Sequence, residues 1–432
     1  MTMTPAESVE QPPRPRRRGL LALLGPGLIT GASDDDPSGI ATYSQAGAAF
    51  GYGLAWTLLF SYPLMAGIQE ISARIGRVTG RGIAGNLRRY YPRWLLHLFV
   101  ALILVANIIN LGADLGAMGA AVNLLVGGPA LVYVALIGAA SVLLEIFVRY
   151  SRYVAALKWL SLTLLAYVAT MFAVRMPWGE VVTGIVVPQL RLDSATLITV
   201  VAVLGTTISP YLFFWQAEEE VEEQQEEPGA LPLRRAPEQA PSEMHRIRLD
   251  TYLGMAISNL IALVIVLTTA ATLHAAGVTN IETSAQAAEA LRPIAGRFAF
   301  TLFAAGIIGT GLLALPVLAG SAAYALGEAQ LWPVGLARRW PQARAFYGTI
   351  AVATGLGVLL NFTPLDPVKA LFWSAVINGV VAAPVMVMMM LLAARPDVMG
   401  AFVLPPGLRL LGWLATIVMA VAALVMIASW FL

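Results

Sequence analysis

The sequence predicts an all-α polytopic membrane protein: eleven transmembrane helices, set out as a five-plus-five inverted repeat with one helix appended, the first and sixth helices being broken. Three observations predict it. The 432 residues are 58% hydrophobic and only 12% charged, against roughly 25% charged in soluble domains, and the mean hydropathy is +0.74. The basic residues are confined to alternate loops. Finally, proline and small polar residues interrupt two apolar stretches, the first and the sixth.

A span needs ~20 mainly apolar residues. Such stretches lie near 20–47, 52–73, 95–122, 129–148, 154–174, 195–216, 251–275, 298–326, 345–362, 367–393 and 408–431. Residues 1–19 are rich in Pro and Arg, end in the run Arg16-Arg17-Arg18, and read as a disordered cytoplasmic tail. A cleaved signal peptide is the rival reading, because basic residues precede Leu20–Leu24, but no A-x-A pattern follows and the apolar run leads straight into aspartates. With the N-terminus inside, 22 of the 27 Lys and Arg residues fall in inside segments and five, Arg175, Arg191, Arg292, Arg297 and Lys369, fall outside. This is the positive-inside bias of a cell (inner) membrane protein with a cytoplasmic N-terminus and its C-terminus outside. One missed or extra span would destroy the bias.

Residues 20–432 then form a single transporter domain, with repeat one over 20–175, repeat two over 195–393 and the extra helix over 408–431. The longest polar segment, the acidic loop 217–250, falls on the cytoplasmic side. Its first part extends the sixth helix, Pro228 to Pro241 reads as a flexible link, and the glutamates read as a solvated face rather than a cation-gathering patch. The net charge of +2 with segregated basic residues implies no nucleic-acid partner, and the absence of cysteine excludes disulfides, thiolate metal sites and cysteine nucleophiles. No nucleophile–base set is visible, so an enzyme is not expected. Oligomeric state is not legible.

The first break is GPGLITGASDDDPSGIATYSQAG, residues 25–47. Proline removes a backbone donor and glycine loosens the chain, so a helix stops and restarts here. An ionisable group beside irregular backbone at membrane depth marks an ion or substrate path. The sixth span, VVAVLGTTISPYLFFWQ, carries the second break at Gly205–Pro210. Alone it reads as a proline kink. Paired with the first, in the corresponding position of an inverted half, it points to a transporter with a midplane site. Broken helices expose carbonyls that attract cations. The metal candidates are Asp36, Ser38, Thr206 and Ser209, with Asp35, Thr207 and Asn378 as weaker ones, and Asp114 and Asp34 as residues of the pathway. All donors are hard oxygens, which suit Mg²⁺, Ca²⁺ or Mn²⁺. The expected cargo is Mg²⁺ or Mn²⁺, and no cofactor is expected; the partners are divalent cations and the lipid bilayer.

Other polar groups in the spans have structural readings. Glu70 with Arg74, and Glu145 with Arg149, stand one helical turn apart as ion pairs. His97, His245 and His274 make no metal-ligand pair, Met388-Met389-Met390 is apolar fill, and the glycine-rich 306–327 serves close helix packing. The sequon at Asn361 precedes Pro364 and carries no weight.

With these residues in hand, the chain resembles the natural resistance-associated macrophage protein (NRAMP) family of divalent metal transporters over most of its length. The resemblance lies in DPSGIATYSQAGAAFGYG (36–53), TGRGIAGNLRRYYP (79–92), NLLVGGP (123–129), GTTISPYLF (205–213) and GTGLLALPVLAGSAAYA (309–325). It implies a LeuT-like five-plus-five inverted repeat of eleven or twelve spans, holding metal between broken helices one and six. Asp36, Pro37 and Pro210 match the family motifs Asp-Pro-Gly-Asn and Met-Pro-His, and Thr206 falls where the family uses a carbonyl. Ser38 and Gly39 replace the family's Gly and Asn, Ser209 replaces its Met, and Tyr211 its His, so the resemblance implies Gly39 as a further metal candidate and Tyr211 as a residue of the pathway. Asp114 matches a family carboxylate, whereas Leu111 stands where the family has the aspartate of its proton path. The pattern is most similar to the NRAMP-related magnesium transporters. The function expected is alternating-access transport of Mg²⁺, with Mn²⁺ also carried and no proton coupling. The alternatives are a proton-coupled Mn²⁺/Fe²⁺ importer and, from other classes, an amino-acid or organic-cation transporter on the same scaffold or a non-transporting sensor using 217–250.

Overall fold

The computed structural model describes residues 26–148 and 162–431. The expected tail over 1–19, the start of the first span, the first part of the fifth span and Arg149 of the expected Glu145–Arg149 pair lie outside those residues. Helix is the regular structure throughout the described chain, and no strand occurs there.

The first span is two helices, α1 (Pro26–Asp34) and α2 (Pro37–Phe50), separated by Asp35 and Asp36. Then come α3 (Trp56–Thr79), α4 (Ile83–Tyr90), α5 (Arg93–Val126) and α6 (Ala130–Phe147). Only α7 (Leu165–Ala173) and a 3₁₀ turn before it represent the fifth span. A short helix α8 (Trp178–Val186), unforeseen from the sequence, lies in the link between the repeats. The sixth span is again two helices, α9 (Ser194–Thr207) and α10 (Pro210–Glu226). The remaining long helices are α11 (Ala240–Thr269), ending in a π turn over Ala270–His274, then α12 (Ala299–Gln330), α13 (Arg344–Leu360), α14 (Pro367–Ala393) and α15 (Pro406–Ala428). Seven described helices are long and apolar enough to cross a bilayer.

The two breaks are built alike. Each leaves two residues out of helix, and each second half begins with proline at its first turn, where the missing N–H is no loss. Asp36 is the N-cap of α2 and accepts the Gly39 N–H at 2.7 Å. Large apolar side chains such as Trp94, Val105, Leu136, Phe172, Leu260 and Leu424 are exposed. On a soluble protein such a surface would be anomalous; here it is the face that lipid covers.

Glycine sets the closest helix approaches. A Cβ on Gly205 of α9 would stand 2.1 Å from the Ala375 carbonyl oxygen of α14, and one on Gly311 of α12 would meet Met118 of α5 at 2.4 Å. The glycine-rich stretch 306–327 therefore packs helices, as its composition indicates. The Glu70 carboxylate accepts from Arg74 at 2.6 Å. Asn361 of the sequon is taken up structurally, donating to the Gly112 and Gly357 carbonyls.

The acidic segment departs from its sequence reading. Residues 217–250 are largely helical, since α10 runs to Glu226 and α11 starts at Ala240. Glu218 and Glu220 are buried rather than solvated. For Glu220 a partner explains why. Arg246 pairs with Glu220, Glu223 and Glu243, and Arg77 pairs with Glu243 at 2.9 Å. Glu222 accepts from Tyr324 and from the Leu336 N–H. Nearby, Glu328 of α12 receives the Gly82 and Gly85 N–H groups at 2.8 and 2.6 Å, so it caps α4 from outside and satisfies the positive end of its dipole. Nor is 228–241 a free link, because Leu233 and Arg234 donate backbone N–H groups to the Arg77 and Val78 carbonyls and Leu233 is fully buried.

Candidate metal site

The broken helices meet at their interruptions. The N-terminal turn of α2 packs on the C-terminal end of α9, where a Cβ on Gly39 would lie 3.1 Å from the Thr206 hydroxyl. Asp36 is 2% exposed. Its Oδ1 accepts the Gly39 N–H, and its Oδ2 accepts from the Tyr211 hydroxyl at 3.2 Å and from Asn110 Nδ2 at 3.1 Å. Asp36 thus joins α2, α5 and α10 at one carboxylate.

The flanking aspartates turn elsewhere. Asp34 Oδ2 accepts from the Ser258 hydroxyl of α11 at 2.6 Å, and that hydroxyl lies 3.3 Å from Asp35 Oδ1. One serine therefore holds the two carboxylates away from Asp36. All three are buried, and among the described residues no Lys, Arg or His pairs with them. A buried carboxylate with no counter-charge costs several kcal/mol, roughly. A divalent cation is the charge such a constellation accommodates.

The remaining candidates divide. The Ser38 hydroxyl lies 3.3 Å from that of Ser374 on α14. Ser209 Oγ donates to the Gly205 and Thr206 carbonyls at 3.0 and 2.9 Å, closing the open end of α9 on itself. Thr207 bonds the Val203 carbonyl within its own helix at 2.9 Å, so its hydroxyl is turned away from the break. Asn378 is buried on α14 beside the crossing with α9, and its Oδ1 has no hydrogen-bond partner. Asp114 is fully buried on α5, one turn beyond Asn110 and close to both Asp36 and the Ser38 backbone. Asn110, Ser258 and Ser374 were not singled out from the sequence. Asn107 and Asn110, two amides one turn apart in an otherwise apolar run, are the signal that could have found the first of them. Among the described residues no three His, Asp or Glu side chains converge as a ready metal cage.

Comparison with known proteins bears on what such a site handles. A family model described as "Natural resistance-associated macrophage protein-like" matches residues 27–429. The chain belongs to the NRAMP family. As an NRAMP chain it is a divalent-metal transporter rather than an enzyme. It is 27% identical over 424 residues to the divalent metal cation transporter MntH of Klebsiella pneumoniae (strain 342), covering 95% of each chain. To the protein of the same name from Yersinia enterocolitica it is 30% identical over 315 residues, 70% of this chain and 72% of the relative. Among solved structures, the Eremococcus coleocola manganese transporter matches with a TM-score of 0.75 at 18% identity, over 95% of this chain and 87% of the other. The inward-facing conformation of Mhp1 matches with a TM-score of 0.53 at 14% identity, over 93% and 90%. These two likenesses concern the fold, and they agree with the LeuT-like architecture of this NRAMP chain.

Proposed function

We propose that this NRAMP chain imports Mn²⁺ across the cell membrane by alternating access, with the ion held between the two helix breaks and Asp36 in direct contact. The observation that carries the reading is the Asp36 carboxylate at the junction of α2, α5 and α10, which accepts from the Gly39 N–H, the Asn110 amide and the Tyr211 hydroxyl and has no counter-charge among the described residues. Carboxylate, carbonyl and hydroxyl oxygens suit Mn²⁺, and manganese is the ion named for the structural neighbour. Ser38, Gly39, Thr206 and Ser209 surround the ion with hydroxyl and carbonyl oxygens, Asp34 and Asp35 attract it, and Asp114 is the carboxylate that carries a proton when import is proton-coupled. The bias of basic residues to alternate loops supports a cytoplasmic N-terminus and an outside C-terminus.

A second reading, Mg²⁺ transport without proton coupling, is favoured by one specific feature. Neither break contains sulfur or imidazole, and Ser209 and Tyr211 occupy the positions where such ligands would select softer ions. Flux of Mn²⁺ and Mg²⁺ into proteoliposomes, with and without an inward proton gradient, separates the two. Mn²⁺ uptake that the gradient accelerates and Mg²⁺ does not compete away establishes the first; Mg²⁺ uptake indifferent to the gradient establishes the second. Amino-acid competition with neither ion flux would remove both.

Replacing Ser209 by methionine tests the donor chemistry. The substitution removes the hydroxyl that ties Gly205 and Thr206 and places a thioether at the break. The expected result is a rise in Cd²⁺ uptake relative to Mg²⁺ of about tenfold or more, read by competition in proteoliposomes. Unchanged selectivity would mean that position 209 does not face the ion.

A further inference from the structure

Asn110 of α5 is buried without any exposed surface, and its amide is used on one side alone. Nδ2 donates to Asp36 Oδ2 at 3.1 Å, while Oδ1 has no hydrogen-bond partner. An unmatched amide oxygen in a dry interior is costly, about 1–3 kcal/mol. Such a group persists where a second arrangement uses it. A carboxamide donates through one end and accepts through the other, and a half-turn about its last torsion exchanges the two ends. After that half-turn, Oδ1 stands where Nδ2 stands now, 3.1 Å from Asp36 Oδ2. In an octahedral Mg²⁺ or Mn²⁺ shell with oxygens at about 2.1 Å, adjacent ligands lie roughly 3.0 Å apart. The two separations coincide.

We infer that Asn110 is a direct ligand of the transported cation, contributing Oδ1 beside Asp36 Oδ2, and that the same amide donates to Asp36 when the carboxylate is not engaged by an ion. The inference deepens the proposed function and rests on its cation reading. Asn110 thereby brings α5 into a site otherwise made by the two broken helices, and it does so with a neutral oxygen. The site gains a ligand without gaining charge, which keeps it weak enough to release the ion.

Two variants of the full-length chain separate a ligand from a residue that merely orients Asp36. Asn110→Asp keeps an oxygen at the same reach and loses the donor; Asn110→Leu keeps the volume and loses both. Mn²⁺ and Mg²⁺ affinities of the detergent-purified protein are read by titration calorimetry, with thermal unfolding as the check on folding. The expected result is that N110D binds Mn²⁺ at least as tightly as wild type while N110L binds it tenfold or more weakly. Equal weakening in N110D and N110L would show that the N–H donor is what matters, and wild-type affinity in N110L would show that the residue does not touch the ion; either overturns the inference and leaves the cation reading standing. If N110L does not fold, Asn110→Ala takes its place with the same expectation. Wild-type protein that binds neither ion would bring down the cation reading and this inference together.

Discussion

Asp36→Asn is expected to abolish uptake of Mn²⁺ and Mg²⁺ alike, in a protein that still folds. Asparagine caps a helix about as well as aspartate, so the amide oxygen can go on accepting the Gly39 N–H and α2 keeps its start. What is lost is the charge, and with it the only anionic oxygen to which Tyr211 and Asn110 converge. Removing a group that only supports a metal ligand costs roughly 10–100-fold in affinity. Removing the charged ligand itself should exceed that, and uptake into proteoliposomes should fall below about one hundredth of wild type. The thermal unfolding midpoint and the elution volume serve as folding controls. Uptake within threefold of wild type would take Asp36 out of direct contact with the ion and leave the neighbouring aspartates to explain transport.

The second large effect is expected at Gly31 of α1, about one helical turn before the aspartates. α1 lies flush on α11 through Gly27 and Gly31, spaced as G-x-x-x-G. A Cβ on Gly31 would stand 2.4 Å from the Gly254 carbonyl oxygen, and one on Gly27 would stand 2.7 Å from the Thr251 nitrogen. Both obstacles are backbone and cannot swing aside. The docked position is further held by the Gly27 N–H on Asp250 at 2.6 Å and by Thr30 donating to Gln216 of α10. Gly31→Leu must therefore drive α1 off α11. At a cost of about 3 kcal/mol, typical of severe overpacking, the docked arrangement loses roughly 100-fold in population. Transport should drop by at least tenfold, because alternating access requires α1 to return. The chain contains no cysteine, so a single Ser33→Cys label site reports on this directly: Ser33 is 1% exposed, and its modification by a water-soluble maleimide should be much faster in the G31L background. Unchanged labelling with full transport would mean that α11 yields and that the flush contact does not govern access.

The site was partly legible because its central features are local. A proline after Asp36, and another after Ser209, end one helix and start the next whatever surrounds them, and an aspartate one residue before the restart is an N-cap by position. Glu70 and Arg74 are likewise neighbours through the helical repeat alone, and they pair as expected. The partners of the aspartates are another matter. Asn110 lies 74 residues from Asp36, Ser258 is 224 from Asp34, and Ser374 is 336 from Ser38. No periodicity connects such positions, and a lone serine in a span is ordinary.

The glutamates of 218–223 show the opposite failure. By composition they read as a solvated face, since a run of charge is rarely buried. In the fold, glutamates of the run are met by Arg246, Tyr324 and backbone N–H groups from 336 and 337, all contributed by other segments. Whether a carboxylate is exposed or paired depends on what arrives beside it.

By itself, then, the sequence determined that this protein is a bundle of membrane helices, where two of them break, and that the breaks carry adjacent aspartates and otherwise neutral oxygens. Helix length, proline and side-chain chemistry are properties of a short stretch of chain, and lipid forces every span to satisfy its own backbone. Only the tertiary structure decided which of three adjacent aspartates faces α5 and α10, which hydroxyls turn back into their own helices, and which buried charges find partners. Those are contests among groups far apart in the chain, and packing settles them.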